Sequence, residues 1–363
     1  MKTSIINNIN VFYKLEEDWR NLCRKIDNYE IFYSWEWICT FIKSMELSNI
    51  NPYVLITEDK DNIISILPLC LEIRKIGIKK VKVLRFIVNR TVDYYNFLID
   101  KDYNKYDVIK SLINELYKLS DWDLIELQNL NTRHRETLMI NEVLKLFKGL
   151  KCIKEINVIT PYLYYNEMII KMNSKQIKDI QRREKKLQRE NEVKYCLNVK
   201  WDREVWNALI KLHKLRWSQS VFIKKEYIEF YESLIPYLEE TKQLEFSYAT
   251  INNEIAAIHF GFKCKEKVYY YIPIYLNKYS STGIGAIFLY KIIEHYKDNY
   301  IIFDFLRGDE IYKFDWTDLA TENLNYYIVK QNNKYLKVYL KFMLKMKENK
   351  FVRNIYNKIR KRN

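Results

Sequence analysis

Glycine and proline are scarce, with six of one and five of the other in 363 residues. So thin a supply excludes collagen-like, elastic and proline-rich linker architectures, which are built on those two residues. The six cysteines, Cys23, Cys39, Cys70, Cys152, Cys196 and Cys264, form no CxxC pair, and none has a histidine at ligand spacing. Neither a disulfide framework nor a metal site is expected, and a reducing cytoplasm suits the chain. Long apolar runs are missing too: none approaches the roughly 18 to 20 residues that cross a bilayer. The stretch MKTSIINNINVFYKLEED lacks the apolar centre of a signal peptide, so the expected location is cytoplasmic.

Aromatic residues are abundant: Tyr, Phe and Trp make up 15% of the chain, and hydrophobic residues 48%. A wholly disordered chain is thereby excluded, and the length fits two domains at about 100 to 200 residues each. The net charge of +15 is unevenly spread. Residues 331–363 carry eight Lys and three Arg against Glu348 alone, so the excess belongs mostly to this tail.

Alternating apolar patterns at 53–57, 63–73, 81–88 and 124–128 read as strands, and 3.6-residue periodicity at 35–45, 106–119 and 135–147 reads as helices. From about residue 164 the rhythm restarts, with helices expected at 174–190, 203–219, 225–239 and 284–295. Strands are expected at 244–250, 254–262, 268–275 and 301–306. A shift of 192 positions lays the hairpin at 53–69 on 245–261, and Trp35-Glu36-Trp37-Ile38 on Tyr227-Ile228-Glu229-Phe230. Internal duplication explains the overlay; the rhythm common to α/β sequences is the competing explanation. The fold class is therefore α/β (α+β) in two similar domains, 1–163 and 164–330, followed by a basic helix at 331–363.

Two segments can carry chemistry. In the first, Tyr279-Ser280-Ser281-Thr282-Gly283-Ile284-Gly285-Ala286, two of the six glycines open an apolar helix. Glycine lets a ligand approach the backbone, and the first unpaired helical amides suit a diphosphate; a plain helix cap is the alternative. The second runs from Phe303 to Trp316, where a buried strand leads into Asp304, Arg307, Asp309, Glu310 and Lys313 around Gly308. A strand's carboxyl end is where an α/β fold places its site, although these charges can also merely neutralise one another.

The order "LPL" (Leu67 to Leu69), "DYYNFLI" (Asp93 to Ile99), "SKQIKDIQRREKKLQRE", "LHKLRW", "YYYIPIYLNKYSSTGIGAIFL" and "FDFLRGDEIYKFDW" resembles acetyltransferases of the CelD, cellulose-biosynthesis-associated type. These belong to the GNAT superfamily and are related to FemAB-like tandem GNAT proteins. The resemblance implies a mostly antiparallel sheet flanked by helices in each domain, and transfer of an acyl group from acetyl-CoA or another acyl-CoA to an amine. An amino sugar or a lipid-linked envelope precursor is the implied acceptor; aminoacyl-tRNA as donor, or a non-catalytic binding module, are the alternatives. A Gln/Arg-x-x-Gly-x-Gly/Ala turn holds the coenzyme in that superfamily. Here Ser280, Gly283 and Gly285 match it, with Ser in first place, so Ser280, Thr282, Gly283, Ile284 and Gly285 are assigned to the coenzyme.

For catalysis the resemblance leaves Asp304 or Asp309 as base and Tyr270 or Tyr271 as acid. Arg307, Lys313 and Trp316 are assigned to the substrate, together with Asp93 and Tyr94. His213 and Arg216, three apart on one helical face, can reach an anionic acceptor or the nucleotide, with interface packing as the alternative. His259, mid-strand, reads as a hydrogen-bonded core histidine. The cationic helix 174–190 is either a solvated surface or a face that binds the phosphates of RNA or of a nucleotide-linked sugar. In the tail, Leu336, Leu340, Met343, Leu344, Phe351, Ile355 and Ile359 form a stripe that either docks on the protein body or lies on an anionic membrane.

Overall fold

The computed structural model describes the chain except residues 46–49, 89, 167–173 and 361–363, and side chains other than those of residues 174 and 348–360. In chain order it begins with β1 (Lys2–Ile6), α1 (Ile9–Tyr13), α2 (Glu16–Lys25), α3 (Trp35–Ser44), β2 (Asn51–Asp59), β3 (Asn62–Ile76), β4 (Lys79–Phe86) and β5 (Leu98–Ile99). Next come α4 (Lys105–Lys118), β6 (Leu124–Asn131), α5 (Arg135–Leu144), β7 (Leu150–Tyr164), α6 (Ser174–Glu190) and β8 (Val193–Cys196). After these lie α7 (Arg203–Arg216), α8 (Lys225–Glu240), β9 (Leu244–Ile251), β10 (Glu254–Cys264), β11 (Lys267–Tyr275) and α9 (Ile284–Tyr296). Last are β12 (Ile302–Asp304), α10 (Ile311–Phe314), β13 (Ala320–Lys330) and α11 (Lys334–Arg360).

Two compact units result: Met1–Asn28 with Asn49–Val158 and Glu322–Asn363, and Tyr29–Ser48 with Ile159–Thr321. This division departs from one drawn at residue 163 with a separate tail, for two packing reasons. The aromatic face of α3 belongs to the second unit, where Trp37 and Phe41 set their rings edge-on to Phe230 of α8 at 5.4 and 5.8 Å. On α11, Leu336 and Leu340 are buried among Ile76, Val81, Val83, Leu124, Tyr327 and Val329 of the first unit, with Met343 and Leu344 packed alongside. That part of the tail stripe docks on the protein itself; Phe351, Ile355 and Ile359 lie outside the described side chains.

The two units share a plan. In the first, β2, β3 and β4 are antiparallel neighbours and β6 joins β4 in parallel. In the second, β9, β10 and β11 are antiparallel and β12 joins β11 in parallel. The hairpin turns match residue for residue. Lys60 and Asp61 hold φ of 48° and 64°, and Asn252 and Asn253, 192 positions later, hold 53° and 64°. Two successive left-handed residues make the turn that suits the right-handed twist of a hairpin, so the backbone itself repeats at this spacing.

Strand β12 is shorter than the apolar run at 301–306 suggested. Leu306 takes φ of 59° and Gly308 φ of 123°, which turns the chain out of the sheet after Asp304. Helix α9 covers its whole expected span and one residue more, and its apolar residues face inward: Ile284, Ile287, Phe288, Ile292 and Ile293 are buried with Ala257, Val268 and Phe303 of the sheet. Among the described residues no helix is long and apolar enough to cross a membrane.

Candidate active site

The candidate site lies where β11 hands the chain to α9. The parallel ladder of β11 with β12 stops at Tyr269↔Asp304, whereas β11 runs on to Tyr275. Among the described residues, no strand pairs with 270–275 on that side. A 3-10 turn, Asn277–Thr282, follows, and Gly283 at φ 78° caps α9. The Gly283 amide donates to the Ser280 carbonyl at 3.2 Å, and the Gly283 carbonyl accepts from Ala286 and Ile287. The Thr282 hydroxyl donates to the Tyr279 carbonyl at 2.7 Å. No side chain caps the helix and its first turn carries no acid. The amides of Ile284 and Gly285 therefore have no partner among the described residues, and the positive end of the helix dipole adds to their pull on an anion.

Two arginines stand at this turn. A Cβ placed on Gly283 would lie 3.3 Å from both Cδ and Nη1 of Arg183, which reaches over from α6. Arg183 also donates through Nε to Asp179 Oδ2 at 2.7 Å, which holds the guanidinium in place. Gly285 packs on Tyr275, whose ring would be 3.1 Å from a Cβ there. Arg216 Nη2 donates to the Tyr275 hydroxyl at 3.1 Å, and its guanidinium lies over the same ring at 4.3 Å. The sequence offered Arg216 an anionic acceptor or the nucleotide; the structure brings it, through Tyr275, to the Gly285 turn.

The charged block after β12 splits into buried and exposed parts. Asp304 is 0% exposed, and its Oδ1 accepts from the Leu306 amide at 2.9 Å, so it braces the turn out of the sheet. Lys313 is 4% exposed. Its Nζ donates to the Arg307 carbonyl at 2.9 Å and pairs with Glu310 Oε2 at 2.9 Å, tying down the loop around Gly308. A side chain on Gly308 would run into the Glu310 carboxylate. Trp316 is core, stacked near Tyr290 at 6.4 Å. Arg307 and Asp309 face solvent. Burial, then Glu310, raises the Tyr312 phenol above its ordinary pKa, while Arg216 pulls it down. Tyr270 is raised well above its ordinary value, chiefly by burial, and Arg216 opposes that shift as well. Arg216 therefore acts electrostatically on both β11 and the block that follows β12.

On the other face of β11, the Tyr271 and Tyr231 hydroxyls are 2.8 Å apart. The Tyr271 amide donates to His259 Nε2 at 3.1 Å, and His259 Nδ1 is held by Glu245, which also accepts from Ser247. With Nε2 accepting, Nδ1 carries the proton, and His259 is the satisfied core residue that its mid-strand place implies. His213 pairs with Ser220 Oγ at 2.7 Å and sits against Trp217. Burial lowers its imidazole to about 4, so at neutral pH it is uncharged. Asp93 and Tyr94 belong to the first unit, where both are buried and the Asp93 carbonyl accepts from Asn323.

Residues 174–314 match the family described as acetyltransferase (GNAT) domain. The structure is similar to the crystal structure of FemX, at 10% identity over 93% of this chain and 99% of that one, with a TM-score of 0.61. It is similar as well to the C-terminal domain of a putative lysylphosphatidylglycerol synthetase from Agrobacterium fabrum, at 9% identity over 91% and 95% of the two chains and a TM-score of 0.53. A tandem GNAT protein from the clavulanic acid biosynthesis pathway matches at 6% identity over 91% and 98%, with a TM-score of 0.50. No curated protein matches the chain in sequence.

The fold is tandem GNAT-like, a mixed α/β architecture shared with these structures. The CelD subgroup finds no separate support among these matches. Sequence reasoning missed Arg183, Tyr275 and Tyr312. Arg183 was one of seven cations on a helix, and only the packing of α6 against α9 distinguishes it. Tyr275, ten residues before Gly285, was hidden by the abundance of tyrosine.

Proposed function

We propose that the second unit is an N-acyltransferase that passes the acyl group of acyl-coenzyme A to an amine, with an amino sugar or another cell-envelope precursor as acceptor class. The observation that carries this reading is the start of α9. It offers two unpartnered amides, a glycine whose missing Cβ leaves room beside Arg183, and Arg216 on the flanking Tyr275. That constellation fits a diphosphate.

The bound thioester supplies an activated acyl carbon and a thiolate leaving group. In this reading the amides of Ile284 and Gly285, with Arg183, hold the diphosphate, Ser280 and Thr282 shape the approach to it, and the free edge of 270–275 aligns the carrier arm by main-chain hydrogen bonds. Tyr271 donates the proton to the departing sulfur. Asp309, an exposed carboxylate of the block, takes the proton from the amine, with Arg307 beside it for an anionic acceptor. Asp304, Lys313 and Trp316 act from within, fixing the loop that presents these groups.

A second reading, aminoacyl-tRNA as donor, is favoured by one observation: Lys175, Lys178, Arg182, Lys185, Lys186 and Arg189 are all exposed on the helix that supplies Arg183. Thermal unfolding with coenzyme A and with charged tRNA separates the two, since a ligand at a hundred times its Kd adds about 2.7 kcal/mol of apparent stability. Stabilisation by coenzyme A, with thiol release that Asp309→Asn abolishes, supports the first reading. Stabilisation by tRNA alone supports the second, and a response to neither overturns both.

A further inference from the structure

We propose that the outward face of α11 seats the protein on an anionic lipid surface. The inner side of this helix is committed to the first unit through Leu336 and Leu340. On the opposite side Val338, Phe342 and Met346 recur every fourth residue and stand 68%, 64% and 45% exposed. Residues four apart are displaced by only about 40° around a helix, so the three form one apolar stripe, and Lys334, Lys341 and Lys345 fall along its border. Lys151, Lys334, Lys337 and Lys341, with Ile153, Gln331 and Val338, line a depression of about 310 Å³ that has no carboxylate in its wall.

A nucleic acid would engage the lysines and leave Val338, Phe342 and Met346 in water. An acid-bearing bilayer answers both halves of the surface: headgroup phosphates meet the lysines, and the apolar stripe enters the boundary between headgroups and acyl chains. The excess positive charge of residues 331–363 points the same way.

Co-sedimentation of the full chain with phosphatidylglycerol/phosphatidylcholine vesicles, against phosphatidylcholine alone, at physiological salt, tests this. Partitioning at least about tenfold stronger to the anionic vesicles is expected, from the attraction of several lysines at once. Phe342→Asp, and separately Lys334→Glu with Lys341→Glu, each reduce it by about tenfold or more while the melting temperature holds, because these side chains are exposed. Should the double variant fold poorly, Phe342→Asp decides. Wild-type protein left in the supernatant, binding indifferent to Phe342→Asp, or stronger retention on RNA than on vesicles overturns the proposal.

Discussion

The two units open a helix at the same point of their shared plan, and they finish its first turn in opposite ways. In the first unit the Asn104 side chain accepts from the amides of Tyr106 and Asp107 at 3.0 and 3.3 Å, and Asp107 adds a negative charge to the opening turn of α4. In the second, Gly283 stands at the corresponding cap with no side chain to offer, no acid follows, and Arg183 leans over the gap. The second helical position is Tyr106 in one and Gly285 in the other. One scaffold thus satisfies its helix start with its own side chain, and the other leaves the opening amides uncapped. The architecture is common to both units, and a few side chains set their helix starts apart.

That contrast is broken most severely by Gly285→Trp. Filling the turn against Tyr275 lowers turnover with acyl-CoA by about a hundredfold, the scale of a misplaced reactant, while Tyr106→Trp at the matching position leaves it unchanged; steady-state kinetics on both variants reads this. Arg183→Glu comes next. Loss of a charge-assisted contact to the diphosphate raises KM for the donor roughly 10- to 100-fold with kcat largely kept.

A smaller effect separates the units by stability rather than rate. Asn104→Ala costs about 1 kcal/mol in denaturant unfolding, the ordinary value of a lost cap, with kcat/KM untouched. The smallest is a pH effect confined to the second unit. Burial holds His213 at about 4 against an ordinary 6.5, so the unfolded chain binds a proton that the fold refuses. This group's contribution to stability is complete above 6.5 and fades as the pH falls toward 4. Melting temperatures across that window decline less steeply in His213→Gln than in the parent.

Much of this plan is legible in the sequence. The alternation of β9 and β10, the polar turns at Lys60-Asp61 and Asn252-Asn253, and the glycines before Ile284 are local signals, and local physics fixes them. What is hidden depends on packing. Asp304, Arg307, Asp309 and Lys313 read as one charged cluster, yet the turn at Leu306 buries the first and last and exposes the two between. Trp316 sits in the same run and goes to the core. Chain order likewise assigned α3 to the first domain, whereas its aromatic face is matched by Phe230 of the second unit. Strands β1 and β8 are only five and four residues long, and β7 and β13 mix polar with apolar residues, so none carries a sustained alternating signal.

The most direct test of the central claim is amide hydrogen exchange with and without saturating coenzyme A. Unpartnered amides exchange fast, so Ile284 and Gly285 are predicted to be rapid in the free protein and slowed on binding, while Lys105 and Tyr106 at the start of α4 stay as they were. Slowing at 105–106 instead, or saturation by coenzyme A that leaves 284–285 unchanged, would contradict the account.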